Sequence, residues 1–286
     1  MSIFSNPAWI SPYEYPFTSI DQVPQTAFDE INARLDKIIS TTPLVSILVA
    51  AYNEEINILR MISTLSALDT KIPFEIIVVN NNSSDRTQET IDKLHIKRFF
   101  QPVQGCGPAR QLGQERALGK YILLADADCL YPSNWLNEMM DQLQRPGVVC
   151  VYGRYSFIGS STIPRWQLFF HETMKDVVAE IRHYKRPYLN AYGISMGYVR
   201  EIALKAGGYI DHNTRGDDGR LCFDMMPYGR VVQMKTRSAR VWTGPRTLLQ
   251  DGTIWNGLKV RIGKEVKQAL SYLTPHPPHN TKTSAN

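Results

Sequence analysis

Asp126 and Asp128 stand one residue apart at the end of the apolar run Tyr121-Ile-Leu-Leu-Ala-Asp-Ala-Asp128. Side chains repeat every second residue along a strand, so both carboxylates would leave its end in one direction. Two close carboxylates repel each other and favour a cation between them. Mg2+ or Mn2+ suits such hard oxygen donors and keeps part of its shell for phosphate oxygens. The spacing therefore points to a metal held by Asp128 and Asp126, with a nucleotide diphosphate as its guest. As a short motif it has little weight alone, because 15 Asp in 286 residues give about 0.8 such pairs by chance. Its weight depends on the elements that would position it.

Those elements alternate. Leu44 to Ala51, Phe74 to Val79, Lys97 to Phe100 and Tyr121 to Ala125 read as strands, mostly as the continuous apolar runs of a sheet covered on both faces. Asn53 would cap a helix carrying Ile56, Leu59, Ile62 and Leu65, and Ser84 would cap the next. Pro108 would open a third helix and Gly119 close it. Strands with helical crossovers predict an α/β fold with a parallel, doubly wound sheet. Such sheets bind ligands at the carboxyl ends of their strands. Asn53-Glu54-Glu55, the stretch Asn80 to Asp85 and the Asp126/Asp128 pair all fall just past strand ends.

The flanks are less regular. A Pro- and aromatic-rich arm precedes a helix over Thr26 to Ser40. Beyond residue 130, strands are expected at Val148 to Phe157, Ala191 to Met196, Arg230 to Lys235 and Ala239 to Trp242. Helices are expected over Pro164 to Arg182, Val199 to Ala206 and Asp217 to Met226. Most aromatic residues between 152 and 198 are expected in the core, including Trp166, Phe169 and Phe170 at helical spacing. The other reading of those rings is a groove for a sugar or an apolar aglycone.

Composition sets outer bounds. A net charge of +5 is too small and too dispersed to argue for nucleic acid. No apolar run is long enough to span a bilayer, and the start lacks a secretory pattern. Cys106, Cys129, Cys150 and Cys222 form no Cys-x-x-Cys, which favours free thiols in a cytoplasmic setting over a zinc site. Residues 258–273 mix Lys259, Arg261, Lys264 and Lys267 with apolar residues. That pattern fits a solvated terminal helix, or a peripheral contact with the inner face of an anionic membrane. Nothing in the sequence speaks to oligomeric state.

Five segments occur in order: Val45-Ser-Ile-Leu-Val-Ala-Ala-Tyr-Asn-Glu-Glu55, Ile76-Ile-Val-Val-Asn-Asn-Asn-Ser-Ser-Asp-Arg-Thr87, Gly107-Pro-Ala-Arg-Gln-Leu-Gly113, Asp126/Asp128 and Gly216-Asp-Asp218. Together they resemble the inverting family 2 glycosyltransferases with the GT-A fold. The resemblance implies a Rossmann-like, mixed but mostly parallel sheet with helices on both faces, in a single main domain. It divides the chain into an arm and helix (1–43), a nucleotide-sugar-binding half (44–130), an acceptor-binding and catalytic half (131–245) and a basic tail (246–286).

The same resemblance implies a non-processive transfer from a nucleotide-sugar donor, usually a UDP-sugar, to a glycan, lipid-linked or small-molecule hydroxyl acceptor. Ala51, Tyr52, Asn53 and Glu54 would lie beside base and ribose. Asn81 stands in an Asn-rich turn where the family often has an acidic residue touching the base, and Asp85 would hold that turn. Arg110 would approach the nucleotide or brace the Asp pair, although Gln111 departs from the family's usual Asn. Asp128 would be the principal metal ligand, with Asp126 and Ala127 beside the sugar. Asp218 would be the catalytic base, with Asp217 in the place of the family's Glu. Arg246 would close on the diphosphate as part of a lid. Arg237-Ser-Ala-Arg-Val-Trp242 only faintly resembles the motif of processive synthases. Two rivals stand beside this reading. One is a non-catalytic nucleotide-sugar or glycan-binding protein of the same fold. The other is an NAD(P)-dependent oxidoreductase, supported only by Gly105-Cys-Gly-Pro-Ala-Arg110, which lacks the third Gly of a dinucleotide fingerprint.

Overall fold

The computed structural model describes residues 4–209 and 216–244. In chain order the strands are β1 (Val45–Ala51), β2 (Phe74–Asn80), β3 (Lys97–Phe100), β4 (Tyr121–Asp126), β5 (Cys129–Leu130), β6 (Val148–Tyr152), β7 (Tyr155–Phe157), β8 (Met196–Val199), β9 (Arg230–Gln233) and β10 (Val241–Thr243). The helices are α1 (Gln25–Ile38), α2 (Asn57–Leu65), α3 (Thr87–Asp92), α4 (Cys106–Arg116), α5 (Trp135–Leu143), α6 (Arg165–Lys185), α7 (Arg200–Lys205) and α8 (Asp217–Met225).

Seven strands form one sheet in the order β3-β2-β1-β4-β8-β6-β9. The first four run parallel, as the apolar runs and crossovers predict. β8 is antiparallel to both β4 and β6, so the sheet is mixed. Alternation along β1 divides the core. Val45, Ile47 and Val49 face one side with Phe28, Leu59 and Trp135, while Leu48 faces the other with Ala109, Leu221 and Met225. Both faces are therefore sealed. The register sets the important edge: Ala51 lies opposite Asn80, and Ala50 opposite Asp126. The segments leaving β1, β2 and β4 emerge side by side.

Several expected boundaries move. The stretch Val148 to Phe157 is two strands, broken at Gly153-Arg154, and β7 joins a second sheet ordered β5-β10-β7. Close packing explains the break. A Cβ on Gly153 would lie 2.4 Å from Ser195 Oγ, and the Gly153 N–H donates to the Ser195 carbonyl at 2.7 Å. Ala191 to Met196 is not a strand; a tight turn spans Gly193–Ser195 and β8 begins at Met196. Asn53 does not cap α2, and Ser84 does not cap α3, because those helices start at Asn57 and Thr87. α4 begins at Cys106, before Pro108, and ends at Arg116. α5 had no counterpart among the expected elements. Trp166 and Phe170, expected in the core, stand exposed on α6.

Candidate active site

The site is built at the carboxyl edge of β1, β2 and β4. Asn53 has a left-handed backbone (φ 55°), which Asn tolerates better than most residues. Its side-chain oxygen accepts from the Ser84 N–H at 2.8 Å, and its own N–H donates to Ser83 Oγ at 3.0 Å. Asn81 is buried; it accepts from the Gly105 N–H at 2.7 Å and donates to the Val103 carbonyl at 2.7 Å. The two amides thus tie the loop after β1 to the loop after β2, and that loop to the segment entering α4. Asp85 accepts from the Thr87 N–H and hydroxyl and from the Glu55 N–H, so it holds the turn. Glu54 is buried, accepting from Asn57 at 2.6 Å while its N–H donates to Thr87. Between these clamped loops lies a cavity of about 280 Å3 lined by Ala51, Tyr52, Asn81, Gly105 and Cys106. Tyr52 is half open to solvent there.

Arg110 ties the two acidic segments together. The helix α4 carries it, buried, beneath the sheet edge. Its Nη2 donates to Asp126 Oδ1 at 3.1 Å, and its Nη1 to Asp218 Oδ1 at 2.5 Å. Burial alone would lower its affinity for a proton, but Asp218 and its other neighbours outweigh that, and the guanidinium stays charged. Asp218 also accepts from Tyr209 Oη at 3.0 Å and from the Gly193 N–H at 2.8 Å. Burial first, then Asp218, push the Tyr209 phenol well above its usual range, so it remains a donor. Gly193 packs closely there: an added Cβ would meet Arg110 Nη2 at 1.8 Å, so the guanidinium would have to shift.

Asp126 ends β4, and its N–H donates to Tyr131 Oη at 2.8 Å. Its carboxyl is pushed up to about 6, by burial first and by Asp128 and Asp218 against the pull of Arg110. One edge of that side chain is open (39 %), and solvent there moderates the shift. Ala127 is buried, and Asp128 is partly exposed, with the Cys129 thiol donating to its Oδ1. Asp217, the first residue of α8, is buried.

Among the described residues, one guanidinium therefore faces Asp126 and Asp218, with Asp128 and Asp217 close in sequence. Asp126 and Asp128 are hard oxygen donors of a kind that suits Mg2+ or Mn2+ with phosphate completing the shell. Among the described residues no group of three or more His, Cys, Asp or Glu forms a closed metal cage.

The structure brings Ala51, Tyr52, Asn81, Arg110, Asp126, Asp128 and Asp218 to one sheet edge. It turns the Asn53, Asn81 and Asp85 side chains toward the protein's own loops. Arg246 and the basic 258–273 segment lie outside the described residues. Gly193, Tyr209 and Tyr131 escape a reading of the sequence, because nothing in their local pattern marks them.

The profile of glycosyl transferase family 2 matches residues 46–205, more than half of the chain. Glycosyltransferase AglE of Haloferax volcanii is 29% identical over 270 residues, covering 84% of this chain and 84% of its own. A dolichol-phosphate mannosyltransferase of Pyrococcus furiosus is 22% identical over 177 residues, covering 58% of this chain and half of its own length. A mannosyltransferase from Pyrobaculum calidifontis, solved in complex with GDP-Man and Mn2+, superposes with a TM-score of 0.55 at 16% identity. That likeness covers 87% of this chain and 75% of the other, and it establishes the shared GT-A fold. A nicotinamide-linked oxidoreductase and a binding protein without turnover are both set aside, since the chain belongs to glycosyl transferase family 2 and is a glycosyltransferase.

Proposed function

We propose that the chain is a non-processive, inverting transferase that moves a sugar from a nucleoside-diphosphate donor, of the UDP-sugar type, to a hydroxyl acceptor. The observation that carries this reading is the Arg110 bridge. It holds Asp126, from the end of β4, and Asp218, from the start of α8, on one guanidinium. The nucleotide would enter the cavity between Tyr52 and Gly105. Asp128 and Asp126 would hold Mg2+ or Mn2+, which supplies Lewis-acid stabilisation of the departing diphosphate.

The chain's own residues divide the remaining work. Arg110 keeps Asp126 and Asp218 apart and oriented, and Tyr209 and the Gly193 N–H fix the Asp218 carboxylate. Asp218 takes the acceptor hydroxyl proton as the oxygen attacks the anomeric carbon. That carbon's bond to the phosphate oxygen breaks on the opposite face, and the electron pair leaves with the diphosphate. The acceptor would approach from the Tyr192–Gly193 side. There Tyr152, Tyr155, Lys175 and Tyr192 line a cavity of about 200 Å3.

Calorimetry with UDP and Mn2+, paired with a turnover assay, tests the assignment. Asp218→Asn should keep nucleotide binding and lose roughly 10²- to 10⁴-fold in transfer, the usual weight of a general base. Asp128→Asn should lose the metal-dependent part of nucleotide binding. Full turnover in the Asp218→Asn enzyme would remove Asp218 from its role.

A further inference from the structure

A third cavity, of about 550 Å3, lies between α6, the β5-β10-β7 sheet and the N-terminal arm, and the catalytic assignment makes no use of it. Its size falls within the range of small-ligand sites, about 300–1,000 Å3. The arm from Ser5 to Ala8 forms one side. Asn6 fixes that side to the loop after β7: its Oδ1 accepts from the Gly159 N–H at 2.8 Å, and its Nδ2 donates to the Gly159 carbonyl at 3.0 Å. Across the cavity stands a row of alternating charges. Arg165 Nη2 donates to Glu172 Oε2 at 2.8 Å, and Arg240 Nη1 lies 3.8 Å from the same oxygen. Arg240 also pairs with Asp176, which Arg154 Nη1 meets at 3.3 Å.

Two members of that row are incomplete among the described residues. Arg165 Nε and Nη1 are buried without a hydrogen-bond partner, and so is Asp176 Oδ1. The Arg165 side chain is only 7% exposed. Its guanidinium carbon lies 4.9 Å from the centroid of the Trp242 ring, and this stacking holds its plane in place. Buried polar groups without partners are costly and scarce in native proteins. Donors and an acceptor left over along one cavity wall suit a ligand that both accepts and donates. A hydroxylated ligand with an acidic group does both. Its carboxylate or phosphate oxygens accept from the guanidinium, and a hydroxyl donates to Asp176. An apolar guest would leave all three atoms unmet, and a bare anion would leave Asp176 Oδ1 unmet.

We infer that this cavity is a binding site for an anionic sugar, one that carries a carboxylate or a phosphate. Arg165 holds the acidic group, Asp176 a hydroxyl, and Arg237, exposed at the rim, the approach. Arg154 and Asp176 also line the 200 Å3 cavity beside Tyr192, so the two cavities share a wall. A remote unit of the acceptor would therefore sit here while its reacting hydroxyl reaches Asp218. That last step rests on the acceptor route proposed above, whereas the binding of the sugar does not.

Calorimetry and saturation-transfer NMR of the full chain with glucuronic acid and with glucose 6-phosphate test this, with glucose as the neutral control. At least one anionic probe should bind about tenfold or more tighter than glucose, and the tighter of the two names the acidic group. Arg165→Gln should lose about tenfold in that affinity. Because that change disturbs a buried ion pair, two exposed positions back it up: Arg237→Glu should weaken binding several-fold, and Thr173→Trp should block the cavity while the melting temperature stays native. Asp218→Asn should bind the probes as the native chain does, so a failed base assignment leaves this test intact. No preference for either anionic probe over glucose would overturn the inference, as would native affinity in folded Arg237→Glu and Thr173→Trp proteins. Displacement of the probe by UDP and Mn2+ would place the sugar at the donor edge and overturn it too.

Discussion

Two carboxylates on the same sheet make opposite arrangements. Glu75, near the amino end of β2, is wholly hidden and receives three donors. Ser46 Oγ approaches at 2.5 Å, Lys97 Nζ at 2.5 Å and the Leu118 N–H at 2.7 Å. Burial would raise its pKa, but those donors outweigh it and hold the carboxyl below its usual range. Asp126, at the carboxyl end of β4, has a half-share in one guanidinium and two acidic neighbours, and its carboxyl is pushed up to about 6. A saturated carboxylate stabilises the native state. An under-compensated one leaves room for a ligand to supply what is missing. The amino end of the sheet reads as structure and the carboxyl end as function.

The sharpest way to break the functional end without touching a carboxylate is Gly193→Ala. Its Cβ would fall 1.8 Å from Arg110 Nη2, so the guanidinium must move. Asp126 and Asp218 would then lose their common support. Transfer should drop on the order of 100-fold, the scale of an ångström-sized misplacement in an active site. A steady-state assay beside a thermal melt checks it. Native turnover in a folded Gly193→Ala protein would mean that the bridge does not position the acids.

The converse change lies at the other end. Glu75→Gln keeps the shape and removes the charge that Ser46, Lys97 and Leu118 were arranged to meet. It should cost about 2–3 kcal/mol in urea unfolding, the range for hydrogen bonds to a charged group, with turnover per folded molecule unchanged. The sign with pH follows from the lowered pKa. Native stability from Glu75 is complete above the unfolded value of 4.5 and is lost as pH falls through the folded value. The variant should lack that acid arm. An equal fall in activity would show that the two ends are coupled.

How much of this was legible follows from what each signal measures. The buried strands announce themselves, because a sheet sealed on both faces needs unbroken apolar runs such as Val45–Ala51. The acidic residues past their ends were legible for the same reason. Asn53 and Asn81 were visible as site residues but not as clamps. An amide that faces a base and one that faces a backbone look identical in sequence. Gly193 and Tyr209 reach Asp218 from elements whose path the local pattern does not encode. The break at Gly153 is a close approach to Ser195, a tertiary fact that alternation cannot report. On α6 the spacing of Trp166 and Phe170 was plain, but periodicity defines a stripe without saying whether it faces inward.

Lys175 supplies the mirror image of Asp126, and with it the smallest expected effect. On α6, burial first and then Arg240 push its ammonium down to about 7, with Arg154 adding to the repulsion and Asp176 and Glu172 opposing it. Two features pull the other way. The Tyr155 ring lies 3.2 Å from Nζ, and the Tyr155 carbonyl accepts from it at 2.9 Å. If the repulsion prevails, the unfolded chain holds a proton here between about pH 7 and 10.5 that the folded chain has released. Stability then rises with pH across that window, since the unfolded state binds more protons. Lys175→Met should remove the rise and gain about 2 kcal/mol at pH 7, a value discounted from the full shift for solvent at the site. Urea midpoints of both proteins at pH 7 and pH 9.5 decide the matter. Parallel behaviour would mean that the ring and the carbonyl satisfy the ammonium and keep it charged in the folded chain.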